Sequence, residues 1–159
     1  MITRPITVRL KKEIYDLIES GMKNTGIFTT IPDFILYSMK NEYIGLIESI
    51  KEGDIKDFIQ NVAQYNYAFN SYKGDIYQTI IRVPIKMYND LMIVLNTMML
   101  SITDFIRSSI MSELSYEIYG FNFDTIVFDY NESLNEGTSF DMRIINKRKK
   151  PRRSADKPE

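Results

Sequence analysis

The sequence contains no cysteine and no histidine. Without cysteine the chain has no disulfides and no thiolate metal sites. Without histidine it lacks the commonest general base and the commonest metal ligand, so nucleophilic sites of the Ser–His and Cys–His kinds are excluded. No paired acidic residues flank a glycine-rich loop or the end of a predicted strand. We therefore expect no enzyme, no metal site and no cofactor.

Long apolar runs are also missing. No stretch approaches the roughly 18–20 apolar residues that a membrane-spanning helix requires, and the first four residues lack the apolar core of a signal peptide. The chain has 159 residues, of which 44% are hydrophobic. That content suffices for the core of one domain or of two tightly packed halves. The sequence predicts a soluble intracellular protein with no membrane partner.

Charge is distributed unevenly along the chain. The formal net charge is −1, yet residues 141–159 contain eight Lys or Arg residues against three acidic ones. The preceding part is mildly acidic, and no apolar residue larger than Pro or Ala follows Lys147. This asymmetry predicts a disordered basic interaction tail at residues 147–159.

Residues 5–47 and 78–119 follow the same pattern. Each segment has a short extended run, a helical run, a break and a second helix with a capping residue. The extended runs align at an offset of 73 in residue number and the second helices at an offset of 71, because the second copy has a shorter turn. The matched residues include Val8 and Ile81, Arg9 and Arg82, Leu10 and Val83, Asp33 and Asp104, and Phe34 and Phe105. Two copies are too few for a solenoid, so the repeat predicts a dimer fused into one chain.

Apolar residues recur at every second position in both extended runs, which predicts strands with one buried face and one presented face. Strands of five or six residues need a partner, and the nearest equivalent strand is the other copy. We predict an antiparallel two-stranded ribbon with an approximate two-fold axis. The residues expected on the buried face are Ile6, Val8 and Leu10 in the first copy and Thr79, Ile81 and Val83 in the second.

Each copy also predicts two helices, and the four helices are expected to share one core. Pro84 fits the first turn of a helix, and Thr30 and Ser101 fit helix N-caps with an acidic residue three positions on. The predicted fold class is mainly α with a short two-stranded antiparallel β-ribbon. The expected divisions are residues 1–48 for the first copy, 49–75 for a linker with one amphipathic helix, 76–119 for the second copy, 120–146 for a β-hairpin appendage and 147–159 for the tail.

Strand, helix, turn and capped helix, with arginine on the free face of the strand, resemble the ribbon–helix–helix DNA-binding family. The second copy is the closer match, through its Gln78-x-Ile80-x-Arg82-Val83-Pro84 run and the segment 101–107. The first copy keeps Thr7-x-Arg9 but has Lys11 where the second copy has Pro84. The tandem single-chain form is similar to transcription regulators of some archaeal viruses and mobile elements.

The resemblance implies that the ribbon enters the major groove of double-stranded DNA and that its free face contacts bases. Helix N-termini and basic residues would then contact phosphates. The expected base contacts are Thr7, Arg9, Gln78, Ile80 and Arg82. The expected phosphate contacts are Lys11, Lys12, Thr29, Thr30, Ser101, Thr103, Lys147, Arg148, Lys149, Lys150, Arg152 and Arg153. Because the two presented faces differ, we also expect an operator with unequal half-sites.

The leading functional hypothesis is a sequence-specific transcriptional regulator in the cytoplasm, associated with the nucleoid, or in the host cytoplasm if the protein is viral. Further self-association along DNA is compatible with it. The alternatives are an antitoxin of a toxin–antitoxin pair, an architectural or partition protein that coats DNA, and a module that binds only proteins. The aromatic residues Tyr65, Tyr67, Phe69 and Tyr72 either stack on single strands or pack the linker onto the body.

Overall fold

A computed structural model describes residues 2–26 and 29–117 of the chain. Within these residues the fold is mainly helical with one two-stranded antiparallel sheet, which confirms the predicted fold class at this level. The order of elements is β1, α1, α2, α3, β2, α4, α5. Their bounds are Thr3–Lys11 for β1, Lys12–Thr25 for α1, Ile31–Glu52 for α2, Ile55–Ser71 for α3, Ile76–Pro84 for β2, Ile85–Thr97 for α4 and Ile102–Glu117 for α5.

The ribbon is formed by β1 and β2, which pair along their whole length, so the predicted pairing within one chain is confirmed. Each strand contains nine residues and is longer than the alternation alone predicts. Backbone hydrogen bonds continue the pairing at both ends. The Lys12 N–H donates to the Asp75 carbonyl at 2.8 Å, and the Ile85 N–H donates to the Ile2 carbonyl at 3.1 Å.

The first helix of each copy, α1 or α4, follows its strand directly and packs beneath the ribbon. Fully buried isoleucines at 14 and 18 anchor α1, and fully buried leucines at 91 and 95 anchor α4. Pro84 lies one position earlier than predicted. Its extended backbone, with φ −52° and ψ 133°, makes it the last residue of β2 and the residue before the helix. The prediction that Pro84 lies in the first turn of the helix is therefore wrong by one position.

A residue in the left-handed backbone region follows both first helices. Gly26, directly after α1, has φ 67°, and Met99, the second residue after α4, has φ 58°. The Gly26 N–H donates to the Met22 carbonyl at 2.9 Å, and the Leu100 N–H donates to the Leu95 carbonyl at 3.0 Å. Four residues then separate Gly26 from α2, whereas two separate Met99 from α5. This difference confirms the shorter turn that the sequence alignment requires.

The second helices, α2 and α5, begin with the predicted caps. The Asp33 N–H donates to the Thr30 hydroxyl oxygen at 3.2 Å, and the Asp104 N–H donates to the Ser101 hydroxyl oxygen at 3.0 Å. Each bond satisfies one of the backbone donors that a helix N-terminus leaves without a helical partner. Both caps could be predicted from the sequence, because Thr30 and Ser101 each precede an apolar helical run.

Inside the core, α2 and α5 use the same residues. Phe34 and Phe105 are 1% and 0% exposed. The hydroxyl of Ser38 donates to the Phe34 carbonyl at 2.8 Å, and the hydroxyl of Ser109 donates to the Phe105 carbonyl at 2.7 Å. Because these serines satisfy their hydroxyl groups within their own helix, they pack in the core without another polar partner.

Helix α2 extends past residue 48, where the first copy was predicted to end. Helix α2 continues to Glu52, since Leu46 is fully buried and Ile47 and Ser49 are partly buried. Gly53 ends the helix in the left-handed conformation with φ 79°. Only Gly adopts such a backbone without a steric penalty, so the helix ends there.

Helix α3 packs against α5 and contributes buried aromatic residues to the core. Tyr67 and Phe69 are each 3% exposed, and Tyr65 and Tyr72 are partly buried against the same core. These rings are therefore not available as a platform for stacking single-stranded bases. The predicted alternative, packing of the linker onto the body, is what the structure shows.

Two glutamates, Glu42 on α2 and Glu113 on α5, approach each other where these helices pack. The Ser108 hydroxyl donates to Glu42 Oε2 at 2.6 Å, and Asn41 Nδ2 donates to Glu113 Oε1 at 3.0 Å. Burial raises the pKa of Glu42, the Glu113 carboxylate raises it further, and the hydrogen bond from Ser108 lowers it. Each helix thus binds the carboxylate of the other.

No single helix in the described ranges has the length and apolarity to cross a membrane; α4 and α5 meet those criteria only as a pair bent by 103°. The predicted β-hairpin at residues 120–146 and the predicted basic tail at residues 147–159 lie outside the described residues.

Candidate nucleic-acid interface

One face of the ribbon carries all the residues predicted to contact bases. In the observed register Pro5 lies opposite Arg82, Thr7 opposite Ile80, and Arg9 opposite Gln78. Partners in an antiparallel pair share a face, so the six side chains form one surface, which we call the outer face. All six are exposed, and Ile80 exposes 54% of its area. The structure therefore brings together Thr7, Arg9, Gln78, Ile80 and Arg82.

The two arginines of the outer face lie at opposite ends and on opposite strands. Arg82 is opposite Pro5, and Arg9 is four residues further along β1. At about 3.3 Å per residue, the two Cα atoms are separated by roughly 13 Å along the ribbon. Thr7 and Ile80 lie midway between them. The outer face thus has a guanidinium at each end and a small, largely apolar centre.

The opposite face of the ribbon holds these side chains in place. Val8, Leu10, Ile81 and Val83 are between 0% and 6% exposed and pack on the helices. Full burial of such a side chain contributes about 1.5–3 kcal/mol. A shift of register by one residue would expose all four. The core therefore fixes which residues the outer face presents.

At one end of the ribbon the loop before β2 contacts the start of α1 closely. Gly74 has φ 113°, and a Cβ built on it would lie 2.8 Å from the Lys12 Cβ. The Lys73 carbonyl accepts a hydrogen bond from the Glu13 N–H at 3.2 Å, and the Lys73 N–H donates to Glu13 Oε1 at 2.7 Å. Only Gly allows this approach, which holds β2 in register with β1.

The helix N-termini offer unequal sets of backbone donors to an anion. Thr29, Thr30, Ser101 and Thr103 are all exposed. The hydroxyl oxygens of Thr30 and Ser101 accept the cap hydrogen bonds, and their hydroxyl protons remain able to donate to a phosphate. Pro32 occupies the position in α2 that Thr103 occupies in α5, and proline has no N–H. Helix α2 therefore has one backbone donor fewer.

Lys11 and Lys12, two of the lysines predicted to contact phosphates, lie in different surroundings. Lys12 is exposed and forms an ion pair with Asp16 at 3.1 Å. Lys11 is partly buried, and its Nζ donates to the Asn70 carbonyl at 3.4 Å. Burial lowers the pKa of Lys11, and the charges of Lys73 and Arg107 lower it further. Lys11 therefore contacts the C-terminal end of α3. The other predicted phosphate residues, from Lys147 to Arg153, lie outside the described residues.

The sequence missed the cation–aromatic contacts that border the ribbon. The guanidinium of Arg4 lies 4.7 Å from the centre of the Tyr88 ring. At the other end the rings of Tyr15 and Tyr77 are 4.8 Å apart, and Lys12 Nζ lies 6.0 Å from the Tyr77 ring. The alternation of apolar residues places Arg4 and Tyr77 on the buried face of the ribbon. The sequence therefore gave no reason to expect them in contacts at the surface.

Within residues 2–26 and 29–117 no three acidic side chains come together as a metal site would require. No family model, curated protein or solved structure matches this chain.

Proposed function

We propose that the chain is a fused pseudo-dimer of the ribbon–helix–helix type that binds double-stranded DNA at specific sequences and regulates transcription. Matching element positions support the duplication. The starts of β1 and β2, and those of α1 and α4, differ by the same offset of 73 that aligns the extended runs in the sequence. The starts of α2 and α5 differ by the offset of 71. The terminal hydrogen bonds of the ribbon, Lys12 to Asp75 and Ile85 to Ile2, are also related by the larger offset.

Further contacts come in pairs at the same offsets. Tyr15 and Tyr88 correspond, and each packs on a residue from the other copy's strand, Tyr77 or Arg4. Thr7 and Ile80 correspond to each other and are also cross-strand partners. A pseudo-two-fold axis between these two residues would relate the copies, as the axis of a homodimer relates two chains.

The observation that carries the DNA proposal is the outer face, with exposed Arg9 and Arg82 at its two ends. A two-stranded ribbon fits the major groove, which is about 12 Å wide, and Arg binds guanine O6 and N7 through two hydrogen bonds. A separation of roughly 13 Å matches about four base steps of 3.4 Å. Arg9 and Arg82 would then contact guanines in two half-sites.

In-vitro selection from a random duplex library tests this proposal, followed by binding measurements on the selected duplex. Arg82→Ala should weaken specific binding by about 1–3 kcal/mol and relax the preference at one base pair. Lys56→Ala is the matched control, because Lys56 is an exposed cation on α3 away from the ribbon. Equal effects of both substitutions, or selection that enriches no sequence, would contradict sequence-specific reading and would favour a protein that coats DNA.

A further inference from the structure

One stripe of α5 is covered by α3, and its counterpart on α2 is open. Asn66 Nδ2 donates to the Asp104 carbonyl at 3.0 Å, and the Arg107 guanidinium lies 5.3 Å from the Phe69 ring. Met111, one turn further along α5, is 0% exposed. Helix α3 therefore packs on this side of α5.

At the offset of 71, Met111 corresponds to Lys40. Lys40 is exposed, whereas Met111 is not. Ile44, one turn beyond Lys40, is 57% exposed. We call Lys40 and Ile44 the open α2 stripe.

We infer that the open α2 stripe is the docking surface for the chain's own residues 121–144. This inference rests on the proposed duplication and is independent of DNA binding. After α2 the chain turns at Gly53 and returns as α3 over the helix of the other copy. Glu117, the last described residue of α5, corresponds to Leu46 in the last two turns of α2, and the sequence continues beyond it. The open α2 stripe is the surface of α2 that corresponds to the side of α5 under α3.

The chemistry of residues 121–144 suits this surface. They include large apolar residues, among them Phe128 and Phe140, which can cover Ile44. They also contain five acidic residues and one basic residue, which complements Lys40. The acidic residues are Asp124, Asp129, Glu132, Glu136 and Asp141.

The absence of cysteine provides a direct test in the full-length chain. An Ile44→Cys variant carries one thiol on the open α2 stripe, and an Ile93→Cys variant carries one on α4, where Ile93 is 67% exposed. If residues 121–144 cover the stripe, iodoacetamide should modify the first thiol about tenfold more slowly than the second, the factor that about 1.4 kcal/mol of docking free energy gives. Adding Phe128→Ser and Phe140→Ser to each variant should abolish the difference.

Equal rates for the two thiols in the otherwise unchanged chain would overturn the inference. Slow modification that disappears on dilution would also overturn it, because a second copy of the chain would then be the occupant. Circular dichroism of each variant checks that the helical body is retained. The measurement needs no DNA, so its failure is distinguishable from failure of the proposed function.

Discussion

β1 and β2 bury the same kinds of residue at corresponding positions but present different ones. Val8 and Ile81 correspond, as do Leu10 and Val83, and all are buried. On the outer face the arginines agree, whereas Thr7 corresponds to Ile80 and Pro5 to Gln78. A shared core limits the buried positions to apolar residues, and the presented positions have no such limit. The two strands are therefore alike in the residues they bury and different in the residues they present.

The helical halves show the same division. The caps, the buried phenylalanines and the serine hydrogen bonds recur in α2 and α5. The outward surfaces differ, since α3 covers α5 while the open α2 stripe is exposed. Residues that pack in the core are thus alike in α2 and α5, and residues that face outward differ.

The strongest test of the shared core is truncation of its two corresponding phenylalanines. Phe34→Ala and Phe105→Ala should each lower the free energy of unfolding by about 3–5 kcal/mol, because each removes a fully buried ring. Urea denaturation followed by circular dichroism measures this loss. If the copies form one cooperative unit, each variant should unfold in a single transition.

Ile93→Ala is the control for this comparison, since Ile93 is 67% exposed and its truncation should change stability by no more than about 0.5 kcal/mol. Two separate transitions in either phenylalanine variant would show that the copies unfold independently, and would contradict a common core.

The second test asks whether side chains that are neighbours in the register of β1 and β2 act together in the proposed binding of DNA. Arg9 and Gln78 are cross-strand partners, whereas Gln78 and Arg82 lie four residues apart on one strand. In double-mutant cycles to Ala, the first pair should show a coupling energy of about 0.5–3 kcal/mol for binding the selected duplex. The second pair should be additive within about 0.5 kcal/mol.

Selection should likewise yield half-sites that share a guanine and differ elsewhere. Arg9 has Gln78 beside it, which can bind adenine through two hydrogen bonds, whereas Arg82 has Pro5, which has no side-chain polar group. A strictly palindromic site bound by one chain would refute this asymmetry.

Local patterns predicted the strands and the caps, and the recurrence of the strand pattern predicted that the two strands pair with each other. Alternation identified Val8 and Ile81, and hydroxyl residues before apolar runs identified Thr30 and Ser101. The contacts of Lys11 with Asn70 and of Arg4 with Tyr88 join distant segments. Such contacts depend on how the elements pack, and no local pattern encodes them.

The third test concerns the glutamates between α2 and α5. Burial raises the pKa of Glu42 above its ordinary value of 4.5, and Glu113 raises it further. The native state therefore binds the Glu42 proton more tightly than the unfolded chain does. This contribution to stability should increase as pH falls through the raised pKa, level off below the ordinary value, and be absent at pH well above the raised pKa.

Glu42→Gln should remove this part of the pH dependence and stabilise the protein at neutral pH, because the amide carries no charge and still accepts from Ser108. Urea midpoints measured from pH 4 to pH 8 would show it. Glu48→Gln changes the net charge equally at an exposed position of the same helix and should leave the slope unchanged. A Glu42→Gln variant with the original slope would contradict the assignment.

The smallest effect is expected where the first helices end. Gly26 and Met99 correspond at the offset of 73, and both adopt a left-handed backbone. A side chain other than Gly pays about 1–2 kcal/mol in this conformation, part of which the greater flexibility of unfolded Gly offsets. Met99 is 92% exposed, so its replacement loses little packing. Met99→Gly should therefore raise the free energy of unfolding by about 0.5–1 kcal/mol.

Gly26→Ala is the reciprocal change. No atom lies within 4 Å of a Cβ built on Gly26, so the substitution adds backbone strain without a clash. It should lower the free energy of unfolding by about 1 kcal/mol. Urea denaturation of both variants compares the two helix ends directly. Opposite signs would show that the duplicated turn retains a left-handed residue in both copies and that only the first copy has the residue best suited to it. A destabilised Met99→Gly variant would show instead that the Met99 side chain makes a stabilising contact.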